Sequence, residues 1–251
     1  MLLELDEVEQ ALALHAEVEA FLLANGRLPH VLGARATFAR LTSVLALKTG
    51  RYQEAILHGR ESLRLIEESG GPLWEHVALL INLGDAYFHL GQADEARAHL
   101  LEALRRADEM TGRLGTTWQG AVRRWLGLAD YQRGNLDRAL EYVGEGLRLG
   151  QQIRDNNIIA LCVGLSAAIA AKQGQPVRAA RLAGASAAMW ARQKRKPRED
   201  SSLDTLLPGW REGPERAAIQ AAFEAGQAMN AEQAVAYALG EATDRSGLRP
   251  D

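Results

Sequence analysis

Apolar and polar positions along this chain follow the 3.6-residue period of an α-helix, and single glycines cut the helical runs at regular intervals. In LGDAYFHLGQADEA, Leu83 to Ala96, an apolar helical stretch stops at Gly91 and resumes with an acidic turn. The same Gly followed five residues later by Ala occurs at four places: Gly50 with Ala55, Gly91 with Ala96, Gly134 with Ala139, and Gly174 with Ala179. These alanines recur every 40 to 43 residues, a period that marks stacked helical pairs. Eight positions beyond each alanine stand Leu63, Leu104, Leu147 and Ala187. Six beyond the first three stand Glu61, Glu102 and Glu145, and nine beyond stand Arg64, Arg105 and Arg148.

This pattern predicts a helical hairpin repeated four times. The glycine ends the first helix, because glycine adopts the left-handed terminal conformation without a Cβ penalty. The alanine sits where the two backbones approach, and a larger side chain there would push the hairpin apart. The Glu and Arg at fixed phase lie three residues apart on the second helix, spaced to pair along an exposed face. Gly50, Ala55, Gly91, Ala96, Gly134, Ala139, Gly174 and Ala179 are therefore read as the packing set of the repeat.

The pattern divides the chain into a leading helix at 1–29, four hairpins over 30–193, a charged Pro-containing linker at 194–214, and a helical pair with a fraying tail at 215–251. In the leading segment Val8, Ala11, Leu12, Val18, Phe21 and Leu22 fall on one helical face, with no first helix before them. It is read as a half repeat or a cap. Leu2, Leu3, Leu5, Leu14 and Leu23 leave its outer face less polar than a cap needs, which favours truncation of a longer protein. In the final pair, Asn230 and Gln233 are spaced for a capping box.

Composition narrows the function. A chain of 251 residues with 47% hydrophobic and 24% charged residues describes an ordinary soluble protein, and the net charge of −3 gives no global attraction to nucleic acid or anionic lipid. The single cysteine, Cys162, excludes an internal disulfide or a thiolate cluster and fits a reducing compartment. The opening residues carry acids where a secretory signal needs cations, and charges interrupt every long apolar run, so a cytoplasmic location without membrane contact is expected. No cofactor is expected, and no G-x-x-x-x-G-K-S/T loop is present.

Leu83, Gly84, Tyr87, Gly91, Ala96, Leu100 and Ala103 in one unit, and Leu126, Gly127, Gly134 and Ala139 in the next, resemble the tetratricopeptide repeat. The period near 41 resembles the longer variant found in bacterial signal-transduction ATPases and maltotriose-responsive transcription activators. Ala179 to Gln193, with Glu215 to Glu241, resembles the segment that closes the helical region of LuxR-type regulators. The resemblance implies an all-α fold: a right-handed superhelix, or α-solenoid, of antiparallel hairpins with a C-terminal helical pair. It also implies a non-catalytic binding module, the sensor or regulatory part of a bacterial signal-transduction ATPase or transcription regulator. Its partners would be a protein segment or small effector in the concave groove, together with an upstream nucleotide-binding domain of the same polypeptide. Direct nucleic-acid binding is not expected.

In such a superhelix the first helices line the groove. The resemblance then assigns Arg40 and Lys48, with Thr37 and Val44; Asn82, Asp85, Phe88 and His89, with Ile81; Arg124, Trp125, Tyr131 and Gln132, with Leu128; and Leu161, Leu165 and Lys172. Arg, Trp and Tyr are the types that most often dominate binding energy. The family's carboxylate-holding pattern of paired Lys and Asn is met only in part, by Lys48 and Asn82. Two rivals stand beside this reading. One is a metal-dependent enzyme using the His58-x-x-Glu61 and His99-x-x-Glu102 pairs between neighbouring helices; the other is a freestanding scaffold. The basic run Arg192, Lys194, Arg195, Lys196 and Arg198 is followed at once by acids and reads as a solvated linker. Trp210 reads either as an exposed anchor for a partner or as a residue that pins the linker onto the preceding helices.

Overall fold

The computed structural model describes residues 17, 18, 20, 21, 24, 32–195 and 202–241. The described residues before 32 are helical; the rest of the leading segment, and residues 242–251 of the tail, lie outside. The fold is all-α, and it forms two compact units, Met1–Met110 and Thr111–Asp251.

Unit one holds two antiparallel hairpins, α1 (Leu32–Lys48) with α2 (Tyr52–Ser69) and α3 (Leu73–His89) with α4 (Ala93–Asp108). Unit two holds α5 (Gly112–Gln132) with α6 (Leu136–Ile153) and α7 (Asn156–Lys172) with α8 (Pro176–Arg192). A short α9 (Leu203–Leu206), then α10 (Arg216–Gln227) and α11 (Ala231–Leu239), complete it.

All four hairpin turns share one geometry. Gly50, Gly91, Gly134 and Gly174 have φ of 75°, 74°, 83° and 71°. The next residue's N–H reaches back to the helix it leaves: Arg51 to Ala46 O, Gln92 to Tyr87 O, Asn135 to Asp130 O and Gln175 to Ala170 O, each at 2.8–2.9 Å. These bonds satisfy carbonyls that a helix end leaves orphaned.

The helices of a hairpin then touch at small residues. Ala55, Ala96, Ala139 and Ala179 are fully buried. Twelve positions earlier stand Ser43, Gly84, Gly127 and Ala167; Ser43 Oγ donates to Ala55 O at 2.7 Å, and a Cβ on Gly127 would lie 3.2 Å from Ala139 O. Seven positions after the alanines stand Ser62, Ala103, Gly146 and Ser186. Ser62 Oγ donates to Ala36 O at 2.7 Å and Ser186 Oγ to Ala160 O at 3.0 Å, while Gly146 brings the backbones together without a side chain. The hairpin is thus closed at two heights by residues small enough for direct helix-to-backbone contact.

The Glu–Arg pairs form twice. Arg64 reaches Glu61 at 2.8 Å and Arg105 reaches Glu102 at 2.8 Å, but Glu145 takes Arg123 of α5 at 2.6 Å instead of Arg148. Arg123 is mostly buried, so the cross-helix pair is better shielded than one along the surface of α6.

The C-terminal pair packs into unit two. α10 crosses α8 at a reciprocal glycine contact: a Cβ on Gly184 would lie 2.0 Å from Phe223 O, and one on Gly226 1.9 Å from Arg181 O. α11 lies against α6, α7 and α8 and opens with the Asn230–Gln233 capping box. Arg178 donates to Ala238 O at 3.0 Å and Arg192 to Met229 O at 2.9 Å, so two guanidiniums of α8 satisfy carbonyls at the ends of α11 and α10. Trp210 is buried among Ala180, Ile219 and Ala222, with its indole N–H on Asp204 at 2.8 Å. Arg211 pairs with the same carboxylate and stands 4.7 Å from the centre of the indole ring.

Candidate functional site

The groove candidates fall into two sets, one in each unit. In unit one they lie on α1 and α3, neighbouring helices that pack on one another. Lys48 and His89 are exposed, Arg40, Asn82, Asp85 and Phe88 are half-buried, and Ile81 is buried. The structure brings three of them together at the end of α3. His89 Nε2 lies 3.3 Å from Asp85 Oδ1, and the Phe88 ring meets the imidazole edge-on at 5.6 Å. The imidazole also stacks on Tyr52, with ring centres 4.7 Å apart. Tyr52 opens α2 and did not enter the sequence reading, which considered first helices only.

Arg40 and Lys48 stand apart from the charge network of this unit. Arg35, Arg51, Arg64, Arg105 and Arg106 each pair with a glutamate, and Arg60 donates to the Tyr87 hydroxyl at 2.5 Å. Arg40 has no such partner among the described residues, and its Nε is shielded from water with no acceptor. Leu41, beside it, is 52% exposed. Leu41 lies fourteen residues before Ala55, as Asn82 and Trp125 lie before Ala96 and Ala139, so the repeat itself carried the signal that placed it on this face.

In unit two the candidates lie on α5 and α7. Arg124 is only 4% exposed, and its guanidinium lies 4.4 Å over the Trp125 ring. Its aliphatic stem and head are therefore largely committed to packing, with the ring of Trp125 half-buried beside it. Lys172 donates from Nζ to Tyr131 O at 3.0 Å and lies 4.6 Å over that ring, joining α7 to α5. Gln132 is exposed, Leu161 is half-buried, and Leu128 and Leu165 are buried. Asp130, 1% exposed, has Arg133 and Arg138 at 3.9 Å.

The His-x-x-Glu rival does not assemble. Hydrogen bonds from Arg64 hold the Glu61 carboxyl below the usual carboxylate range, and those from Arg105, with Arg106, hold Glu102 at about 2. His99 stacks on Tyr87 at 5.3 Å, and burial together with the Arg60 charge pushes its pKa down. Among the described residues no group of three or more His, Cys, Asp or Glu is placed to hold a metal ion. Cys162 is fully buried, and burial pushes its thiol up to about 12, which leaves it an inert packing group. In the basic run, Arg192 is used on helix carbonyls and Arg195 on the Trp190 ring and Asn157 Oδ1; Lys196 and Arg198 lie outside the described residues. Among the described residues, no helix is long and apolar enough to cross a membrane.

Residues 35–109, the two hairpins of unit one, match the family model of the tetratricopeptide repeat. The fold is similar to the crystal structure of BtubC (BKLC) from P. vanneervenii, with 19% sequence identity over 97% of this chain and 94% of that chain and a TM-score of 0.60. At that identity the likeness is one of fold. A search of curated proteins returned no match. The chain thus carries a tetratricopeptide-repeat region within an all-helical fold, an architecture that typically presents helix faces to protein partners.

Proposed function

We propose that this chain is a non-catalytic, protein-binding regulatory module, the sensor region of a bacterial signal-transduction ATPase or transcription regulator. The first-helix faces take a protein segment or a small effector, and occupancy is passed to an adjoining nucleotide-binding domain of the same polypeptide. The observation that carries the reading is the exposed face of α1 and α3, where Arg40 and Lys48 hold no counter-ion among the described residues while the other cations of the unit are mostly paired. Side chains left without intramolecular partners on a rigid repeat scaffold are suited to an external one. The similarity of Ala179–Gln193 and Glu215–Glu241 to the closing segment of LuxR-type regulators supports the regulatory half of the reading.

The test has two arms. Affinity capture from the native host, wild type against Arg40→Glu with Lys48→Glu, is expected to return a partner that the double variant loses; a partner retained equally by both refutes the face. The genomic reading frame upstream of Met1 is expected to encode a nucleotide-binding domain in frame, and its absence there refutes the regulatory context.

A further inference from the structure

We propose that the cleft between α2 and α4, on the second-helix side of unit one, binds a phosphomonoester, with Arg60, Tyr87 and His99 around the phosphate and Leu57 beside its organic part. The site is separate from the first-helix faces and independent of what those faces take.

The register of the repeat sets the cleft. α2 and α4 are the second helices of successive hairpins, and Arg106 of α4 reaches Glu67 of α2 at 3.1 Å. Seven residues earlier on each helix, about two turns, stand His99 and Arg60. Tyr87 of α3 joins them. Arg60 Nη2 donates to its hydroxyl oxygen at 2.5 Å, and the His99 ring stacks on its ring with centres 5.3 Å apart. Three helices thus bring a guanidinium, a phenol and an imidazole to one place.

Each group has hydrogen-bonding capacity that the protein leaves unused. Arg60 is exposed and has no carboxylate partner among the described residues, whereas Arg51, Arg64, Arg105 and Arg106 each pair with a glutamate. Tyr87 is 6% exposed; its oxygen accepts from Arg60, and its O–H meets no acceptor among the described residues. An unmatched O–H on a buried ring is unfavourable, and an acceptor from outside offsets that. His99 is half-buried, its ring nitrogens make no hydrogen bond among the described residues, and both stay open to solvent. An oxyanion suits this set, because its oxygens accept from the guanidinium, the phenol and an imidazolium together. Phosphate carries three such oxygens and a charge matched by Arg60 and a protonated His99. Leu57, one turn before Arg60 on the same face of α2, is 66% exposed and gives the organic part an apolar step.

Binding is coupled to a proton. In the empty cleft, burial and then the Arg60 charge push the His99 pKa down. The other charged groups near it are Glu67 and Glu102, both on Arg106, and Glu95, which is exposed and in no ion pair among the described residues. A bound dianion cancels the field of Arg60, so the His99 pKa rises and affinity increases as pH falls toward it.

The full-length chain, labelled with ¹³C at the histidine Cε1 positions, is titrated by NMR with phenyl phosphate and with inorganic phosphate; His99→Phe identifies the resonance. Sulfate, which stays dianionic through the titration range of histidine, is the probe for the coupled proton. A saturable shift of the His99 signal is expected, and sulfate should raise its pKa by about one unit. Phenyl phosphate should bind about fivefold tighter than inorganic phosphate, and Leu57→Ser should remove that advantage. Affinity should fall about tenfold in Arg60→Gln and less in Tyr87→Phe, which keeps the ring. Arg60 and Leu57 are exposed, so their variants keep the fold even where Tyr87→Phe unsettles it. No saturable His99 shift, or equal affinity in Arg60→Gln, overturns the site; equal affinity for the two phosphates overturns the organic part of the ligand. Neither result touches the first-helix faces.

Discussion

Replacing Gly226 with alanine sets two effects against each other. Helix propensity favours alanine over glycine by at most about 1 kcal/mol at Gly226, which lies in the last turn of α10. The new Cβ would stand 1.9 Å from Arg181 O, 2.8 Å from the Arg181 carbonyl carbon and 3.0 Å from Ala185 N. Those are backbone atoms of α8, so no side chain can rotate aside. Ordinary contact begins near 3.4 Å, which requires α10 to retreat by about 1.5 Å. That movement strips contacts from Ile219, Ala222 and Phe223 and opens the seat of Trp210. Overpacking of this kind costs about 1–3 kcal/mol, and a clash with backbone belongs at or above the upper end. The expected outcome is a net loss of about 2 kcal/mol, confined to unit two. Urea denaturation gives the sign, and hydrogen exchange of the α10 and α11 amides locates it, since repeat arrays do not always unfold as one step. Gly184→Ala should act the same way, and the double variant should cost less than the sum because both open the same crossing. Unchanged or increased stability in Gly226→Ala, the result that propensity alone gives, would refute the close crossing.

Gly91→Ala has nothing within 4 Å of its Cβ, so its cost is that of φ at 74° alone, about 1–2 kcal/mol, and Gly91→Asn should recover part of it in the same denaturation assay. Ser186→Ala removes the bond to Ala160 O and should cost about 1 kcal/mol; Ser166→Ala, which deletes a buried hydroxyl that has no hydrogen-bond partner among the described residues, should be neutral or stabilising, and the two melting temperatures should move apart. His99 is held neutral by burial and by Arg60, so its folded pKa lies below the unfolded value near 6.5. The unfolded chain therefore binds the proton more readily: this stability is complete above pH 6.5 and declines as pH falls below it. Thermal melts between pH 7.5 and 5 should show that decline in the wild type and less of it in His99→Phe; equal slopes would count against the buried site.

The sequence by itself determined the repeat. Period, turn glycines and anchor alanines are local or nearly local properties: a helix fixes which residues share a face every 3.6 positions, and a left-handed turn admits few residues besides glycine. The capping box of α11 was legible for the same reason. The tertiary structure decided how the polar residues of those faces are used. Arg124 and Arg40 lie fifteen positions before their anchor alanines in different repeats, yet one is buried against Trp125 and the other is left without a counter-ion among the described residues. Glu145 left its expected partner for Arg123 because a shielded cation stood across the helix pair. Gly184 and Gly226, forty-two residues apart in alanine-rich helices, look interchangeable with their neighbours until α8 and α10 cross at that point. Which faces meet depends on where distant helices are carried by the chain between them, and periodicity within a single helix holds no record of that.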